Sequence, residues 1–244
     1  MKNILLLFIC ILTITSCQVG GSTFQNSSQT IKGNSYIVSQ EYSIGDYSRI
    51  KVENQADIIY EQKPLSRPYL IVETDENLLP YISVSVKDGV LILRSTENLK
   101  TKHCKVYTNS RSLAGVQVSG VSNIELRNPL DSKNLVINFS GVGGIKAYDL
   151  KCDNLNANLS GVANFTFGGT VRNSVLNVSG KGDIYAYELN AANTDCNVSG
   201  IGKIETYTTD YLKAKMSGVG NVRYKGAPKH TEISKSGVGS IKPY

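Results

Sequence analysis

The sequence predicts an all-β chain: a right-handed, single-stranded parallel β-helix of about 20 residues per coil, entered through a less regular N-terminal β part. Three observations predict it. Ser-Gly recurs at a nearly fixed period, apolar and polar residues alternate on both sides of each Gly, and the composition suits a turn-rich globular chain. With 22 Gly, no Trp and only 19% charged residues, long charged helices and disorder are both disfavoured.

The first residues stand apart from that pattern. Lys2 supplies a positive n-region, and Ile4 to Leu12 form an apolar run of signal-peptide length, too short to span a bilayer. Ile14-Thr15-Ser16-Cys17 then resembles a bacterial lipobox, in which small residues precede a Cys that is lipidated and becomes the new N-terminus. Residues 1–16 are therefore read as a lipoprotein signal peptide and Cys17 as the lipidation site. Two or three acyl chains would anchor the protein stably, since each buried CH₂ contributes about 0.8 kcal/mol. Residues 17–33, polar and unpatterned, read as a flexible tether, with the fold starting near Tyr36.

Charge and cysteine usage exclude several functions. Removal of residues 1–16 takes away Lys2 and no acid, so the formal charge falls from +6 to +5, and the remaining Lys and Arg are scattered. Nucleic acid is not an expected partner, because neither an arginine-rich run nor an aromatic-basic motif is present. Cys10 leaves with the signal and Cys17 carries lipid. Cys104, Cys152 and Cys196 remain, an odd number that argues against a complete disulfide framework. No metal site and no cofactor are expected. His103 and His230 are the only histidines, and His103 and its neighbour Cys104 would point to opposite faces of a strand.

The repeat itself occupies residues 116–244. Ser-Gly recurs at Gly120, Gly141, Gly161, Gly180, Gly200, Gly218 and Gly237, successive copies standing 18 to 21 residues apart. Two residues before each Gly stand Val118, Phe139, Leu159, Val178, Val198, Met216 and Lys235; four before stand Val116, Ile137, Ala157, Leu176, Cys196, Ala214 and Ile233. Between these columns run Asn138, Asn158, Asn177 and Asn197, an exterior ladder able to bond side chain to side chain. This is strand alternation, apolar in and polar out. A second Gly usually follows, as in Gly143, Gly182, Gly202, Gly220 and Gly239, and marks a corner. Ile124, Ile145, Phe165, Ile184, Ile204, Val222 and Ile241 then form an inward ladder on a second strand. Each copy reads as strand, Gly corner, strand and return loop.

A unit this short cannot bury its apolar face alone, so copies must stack about 4.8 Å apart, seven of them making a rod of roughly 30 Å. A leucine-rich repeat would need its Leu and Asn signature, and a propeller blade about twice the length. Right-handedness follows from the hand of parallel crossovers. Upstream, residues 34–115 read as an irregular β part continuous with the rod. Ile50, Val52, Asn54 and Ile58 fit the columns of a degenerate coil, Tyr69 to Val72 reads as a strand, and Ile82, Val84 and Val86 lead through Asp88-Gly89 into Val90-Leu91-Ile92-Leu93 as a hairpin. This part is expected to cap the solenoid.

Residues 42 to 244 resemble the family described as putative auto-transporter adhesin, head GIN domain, found among Bacteroidetes lipoproteins. The resemblance rests on Tyr47-Ser48-Arg49-Ile50-Lys51-Val52 with Ala56-Asp57-Ile58, on Asp75-Glu76-Asn77-Leu78-Leu79-Pro80, on Asp88-Gly89-Val90-Leu91-Ile92, and on the Ser-Gly-x-Gly-x-Ile repeats. It implies a β-helix similar to that of pectin lyases and a role in adhesion, and it brings no catalytic motif to carry over.

The expected function is a cell-envelope lipoprotein with a non-catalytic, adhesin-like binding scaffold, held at the outer membrane by its lipid, with the periplasmic and external faces both open. Two other readings are a carbohydrate-active enzyme on a pectin-lyase-like β-helix and an envelope signalling accessory protein. An enzyme would need clustered acids or an acid and Arg beside a cleft. Glu205 and Arg223 are neighbours in one outward column and read as a solvent-face ion pair. Tyr148, Tyr187, Tyr207 and Tyr244, seven residues after their glycines and outside by alternation, form a candidate ladder for a glycan or protein ligand, interrupted at Gly168. Mutual packing of the rings is the competing explanation of that column.

Overall fold

The computed structural model describes residues 30–127 and 129–244. Cys17, the signal segment and most of the expected tether lie outside these residues. Parallel strands stack in register through the chain, and the structure is a β-solenoid of about 6 turns with coils about 20 residues apart.

One ladder shows the register. Ile58, Ile124, Ile145, Phe165, Ile184, Ile204, Val222 and Ile241 are successive register partners across eight parallel strands, with Val106 beyond Ile58. All but the terminal Ile241 are buried. Phe139, Phe165 and Phe167 pack on one another in the interior, with ring centroids 5.7 and 5.8 Å apart in edge-on and tilted arrangements. The interior is close-packed. A small recess beside Val52, Ala56 and Leu93 measures about 20 Å³, room for about one water.

The return segment is not a loop. The strands Val142–Leu159, Val162–Val178, Ile184–Val198 and Ile201–Met216 each run along the return segment and into the next coil. Three-sided coils therefore pair on every side, with irregularities between Ala147 and Leu150, Thr166 and Gly168, and Ala186 and Asn190. Third-side residues such as Leu155, Ser174, Thr194 and Leu212 stack in their own inward column. Here the interior turns polar: Ser174 Oγ lies 2.9 Å from Thr194 Oγ1, which accepts from Thr208 Oγ1 at 2.8 Å. Hydroxyls this deep are tolerated because they satisfy one another.

Close stacking of the corners explains their glycines. A Cβ on Gly141, Gly161, Gly180, Gly200, Gly218 or Gly237 would sit 1.8–2.1 Å from the carbonyl oxygen of the corner glycine one coil earlier. The corners are stacked too closely for any side chain. Where a second glycine follows it is equally crowded, a Cβ on Gly143 or Gly182 lying 2.0 or 1.7 Å from a carbonyl oxygen one coil earlier, and its φ of 136° or 146° adds a conformational demand. Beyond this bend an Asp or Asn carbonyl takes over as acceptor for the next coil: Asp57 Oδ1 accepts from Asn123 N (2.8 Å), Asn164 Oδ1 from Asp183 N (3.0 Å) and Asp183 Oδ1 from Lys203 N (2.8 Å).

At the N-terminal end, chain order and stacking order differ. Arg49–Val52 pairs on one edge with Val90–Ser95 and on the other with Gly115–Val118; Asp57–Gln62 lies likewise between Cys104–Ser110 and Val121–Arg127. The first coil of the sequence is thus sandwiched between the second and third. Antiparallel strands cap the stack. Ile82–Lys87 forms the expected hairpin with Val90–Ser95, its turn carrying positive φ at Asp88 and Gly89, and Leu70–Asp75 joins Ile37–Tyr42 to Cys104–Ser110. A short 3₁₀ helix, Glu76–Tyr81, absent from the sequence reading, buries Leu78. The fold also includes residues before Tyr36. Thr30–Lys32 pairs with Asn98–Lys100, so these residues of the segment read as tether belong to the fold. Buried Asp75 holds them there, its carboxylate accepting from Ser35 N and from Thr101 Oγ1.

Candidate functional site

The core ladder comes together as the sequence required; the tyrosine column does not. Tyr148 is 62% exposed, and among the described residues no ring pair includes it. Tyr187 and Tyr244 instead meet, with centroids 5.1 Å apart at an interplanar angle of 71°. Lys225 Nζ sits over both rings, 4.4 Å from the Tyr187 centroid and 4.3 Å from that of Tyr244. Tyr207 is half-buried and is the register partner of Lys225.

The irregular coil lengths produce this cluster. Opposite the step from Ala186 to Asn190, the next strand passes directly from Thr206 to Tyr207, so residues 187–189 are extra relative to it, with Leu189 turned into the core. The Tyr187 ring thereby leaves the column and lies along the later coils, where burial pushes its phenol up to about 12. Its Oη and the Nε of nearby Arg223 are both shielded and have no protein partner. Gly168, in the same column, contributes no side chain at all.

Other expected neighbours rearrange. Glu205 and Arg223 are register partners, yet Glu205 pairs with Lys203 on its own strand at 2.8 Å, because alternation places these two on one face. Lys203 also lies 4.6 Å from the Tyr185 centroid, and Tyr185 donates to Asp183 at 3.0 Å. The carboxylate of Glu205 holds the Lys203 ammonium pKa above its ordinary value, and the bond to Asp183 raises the Tyr185 phenol. The Asn ladder forms through three of its four members, Asn177 donating to Asn158 at 2.8 Å and Asn158 to Asn138 at 2.9 Å. A second ladder went unread. Asn193, Asn173, Asn154 and Asn134 bond in series at 2.8–2.9 Å, seven residues before each Gly, a spacing that could have revealed it.

Cys104, Cys152 and Cys196 are free and buried. Burial pushes the first two thiols up to about 11 and Cys196 higher still, so all three are poor nucleophiles. His103 contacts the Glu73 carboxylate while Cys104 turns into the core, opposite faces as the strand requires. Among the described residues no group of three His, Cys, Asp or Glu is placed to hold a metal ion.

The outer faces carry shallow grooves. One of about 720 Å³ lies around Gly115 between Arg49 and Val136; another of about 420 Å³ lies over Gly143 and Gly144. Both form where glycine removes a side chain from an outward column.

Solved structures share this architecture. A putative adhesin from Bacteroides fragilis superimposes with a TM-score of 0.85 at 29% identity, covering 88% of this chain and 100% of its own. A protein from Parabacteroides distasonis described as a putative lipid binding protein gives 0.75 at 29% identity, with the same coverages. A putative adhesin from Parabacteroides merdae gives 0.68 at 25% identity, covering 88% of this chain and 99% of its own. No protein of curated function matches. Residues 46–228 carry the family's own pattern, and the chain belongs to the family described as putative auto-transporter adhesin, head GIN domain.

Proposed function

We propose that this protein is a non-catalytic binding scaffold of the bacterial cell envelope, lipid-anchored through Cys17 at the outer membrane, with a glycan or protein ligand. The observation that carries the reading is the cluster of Tyr207, Lys225 and the 73%-exposed Tyr244 on the outer wall of a rigid rod. Aromatic rings with a cation between them offer apolar area, hydroxyls and charge at little entropic cost, the chemistry favoured at contact sites. Tyr187 acts as the support beneath this patch, and Tyr148 stands outside it. The family's adhesin-like relatives agree with a binding role, and no helix among the described residues is long and apolar enough to cross a membrane.

Tyr207→Ser tests the contact patch without removing the Tyr187–Tyr244 ring pair or the Lys225 that bridges it. Binding to immobilised glycans and matrix proteins should fall while the melting temperature holds. Retained binding with a lowered melting temperature makes the cluster structural. Anchoring has its own test: Cys17→Ser should abolish incorporation of a fatty-acid analogue and release the protein from membranes, and equal labelling of variant and wild type rejects it.

A further inference from the structure

We propose that the groove around Gly115 is a second binding site, and that it takes an oligosaccharide bearing carboxylates, a uronate chain. The groove lies on the face that precedes the Gly corners, apart from the tyrosine cluster, and nothing in the reading above uses it.

Two outward rows build it. Val90, Arg49, Gly115 and Val136 are successive register partners across four stacked strands, and Ile92, Lys51, Gln117 and Asn138 form the row beside them. The first row is apolar at both ends, cationic within and empty at Gly115, so it makes a trough running along the axis of the rod. A Cβ at Gly115 would lie 3.3 Å from Arg49 Cγ. The arginine stem therefore rests over the glycine, and the gap in the row is what lays Arg49 along the floor. Lys87 enters from the adjoining hairpin turn, beside Asp88, the one carboxylate among the lining residues.

The charges are available. Lys51 is held by Glu53 at 2.7 Å, but neither Arg49 nor Lys87 has an ion-pair partner among the described residues. A guanidinium presents a planar fork that matches a carboxylate bidentately. An extended peptide is poorly suited, because the strands forming the trough pair on both edges and leave no edge for strand addition. A sugar chain suits it better. Its ring faces can lie on Val90, Ile92 and Val136, its hydroxyls can meet the amides of Gln117 and Asn138, and the rungs repeat about every 4.8 Å, close to the advance of one sugar in an extended chain.

Titration calorimetry on the full chain with hexagalacturonate, and with the same hexamer after reduction of its carboxyl groups, tests this. The acidic hexamer should bind, more weakly as salt rises, and the reduced one should not. Arg49→Gln with Lys87→Gln, both exposed and so tolerated by the fold, should weaken binding by about tenfold to a hundredfold. Tyr207→Ser with Lys225→Gln should leave it unchanged, which separates this site from the tyrosine cluster. The proposal is overturned if wild type fails to bind, if both hexamers bind alike, if the Arg49 and Lys87 variant keeps wild-type affinity, or if only the tyrosine variant loses it.

Discussion

Tyr187 and Tyr244 stand on coils three rungs apart and yet touch ring to ring, 5.1 Å between centroids. In a solenoid each coil ordinarily contacts its immediate neighbours. The bulge at residues 187–189 lets one side chain span the last coils and, with Lys225 over both rings, strap down the final strand. Tyr244 is fixed from its other side by its backbone N–H, which donates to Tyr224 O at 3.0 Å.

That strap should be measurable. A double-mutant cycle with Tyr187→Ala and Tyr244→Ala is expected to give a coupling of about 0.5–1.5 kcal/mol. Amide exchange in His230–Lys235 and Val238–Pro243 should accelerate in either single variant. Strict additivity, with exchange unchanged, would reduce the ring contact to coincidence.

The stacked corners predict a sharp intolerance. Gly200→Ala places a methyl 2.1 Å from Gly180 O, backbone against backbone, with no flexible side chain to yield. Overpacking of this kind should cost roughly 3 kcal/mol. Denaturant unfolding of Gly200→Ala beside Gly45→Ala, where a Cβ meets nothing within 4 Å, separates steric crowding from the general effect of losing a glycine. Equal losses at the two positions would contradict the close-stacking account.

Stability should fall at alkaline pH. Burial pushes Tyr60 up to about 12 and raises Tyr47 further, against opposing hydrogen bonds from Ser110 and Thr108. Because the folded state holds these protons more tightly, the stabilisation is complete below the ordinary tyrosine pKa near 10 and is lost as pH rises through 12. Melting temperature should be flat up to about pH 9 and then drop. Tyr60→Phe should flatten part of that drop; an unchanged alkaline slope would remove Tyr60 as its source.

Lys235 occupies the inward column that holds Val, Phe, Leu or Met in the preceding six copies, and its Nζ donates to Gly239 O at 2.9 Å. An inward-pointing charge at the end of a stack discourages the addition of another strand. Lys235→Val should therefore promote end-to-end association, seen in sedimentation as dimer that increases with concentration. A variant that sediments like wild type at every concentration would show that the edge is guarded by something else.

The repeat was legible in the sequence because parallel stacking sends each chemical requirement back to the same place in every coil. Periodic glycines, alternating columns and the Asp88-Gly89 turn are local signals, and the Ile145, Ile184 and Ile204 ladder follows from them directly. Even the degenerate coil could be aligned, since Ile50, Val52 and Ile58 pair with Val116, Val118 and Ile124 as their columns imply.

Tertiary structure alone decided where the repeat is broken. Alternation says which side a residue faces, but not that residues 187–189 bulge out of register, that Glu205 turns to Lys203 rather than Arg223, or that the first coil is inserted between the second and third. These outcomes depend on small differences in coil length and on contacts between residues far apart in the chain. The sequence therefore determined the rod and its core, and the fold decided which outward side chains meet, because inward positions share one packed environment while outward ones are placed by the particular neighbours each coil acquires.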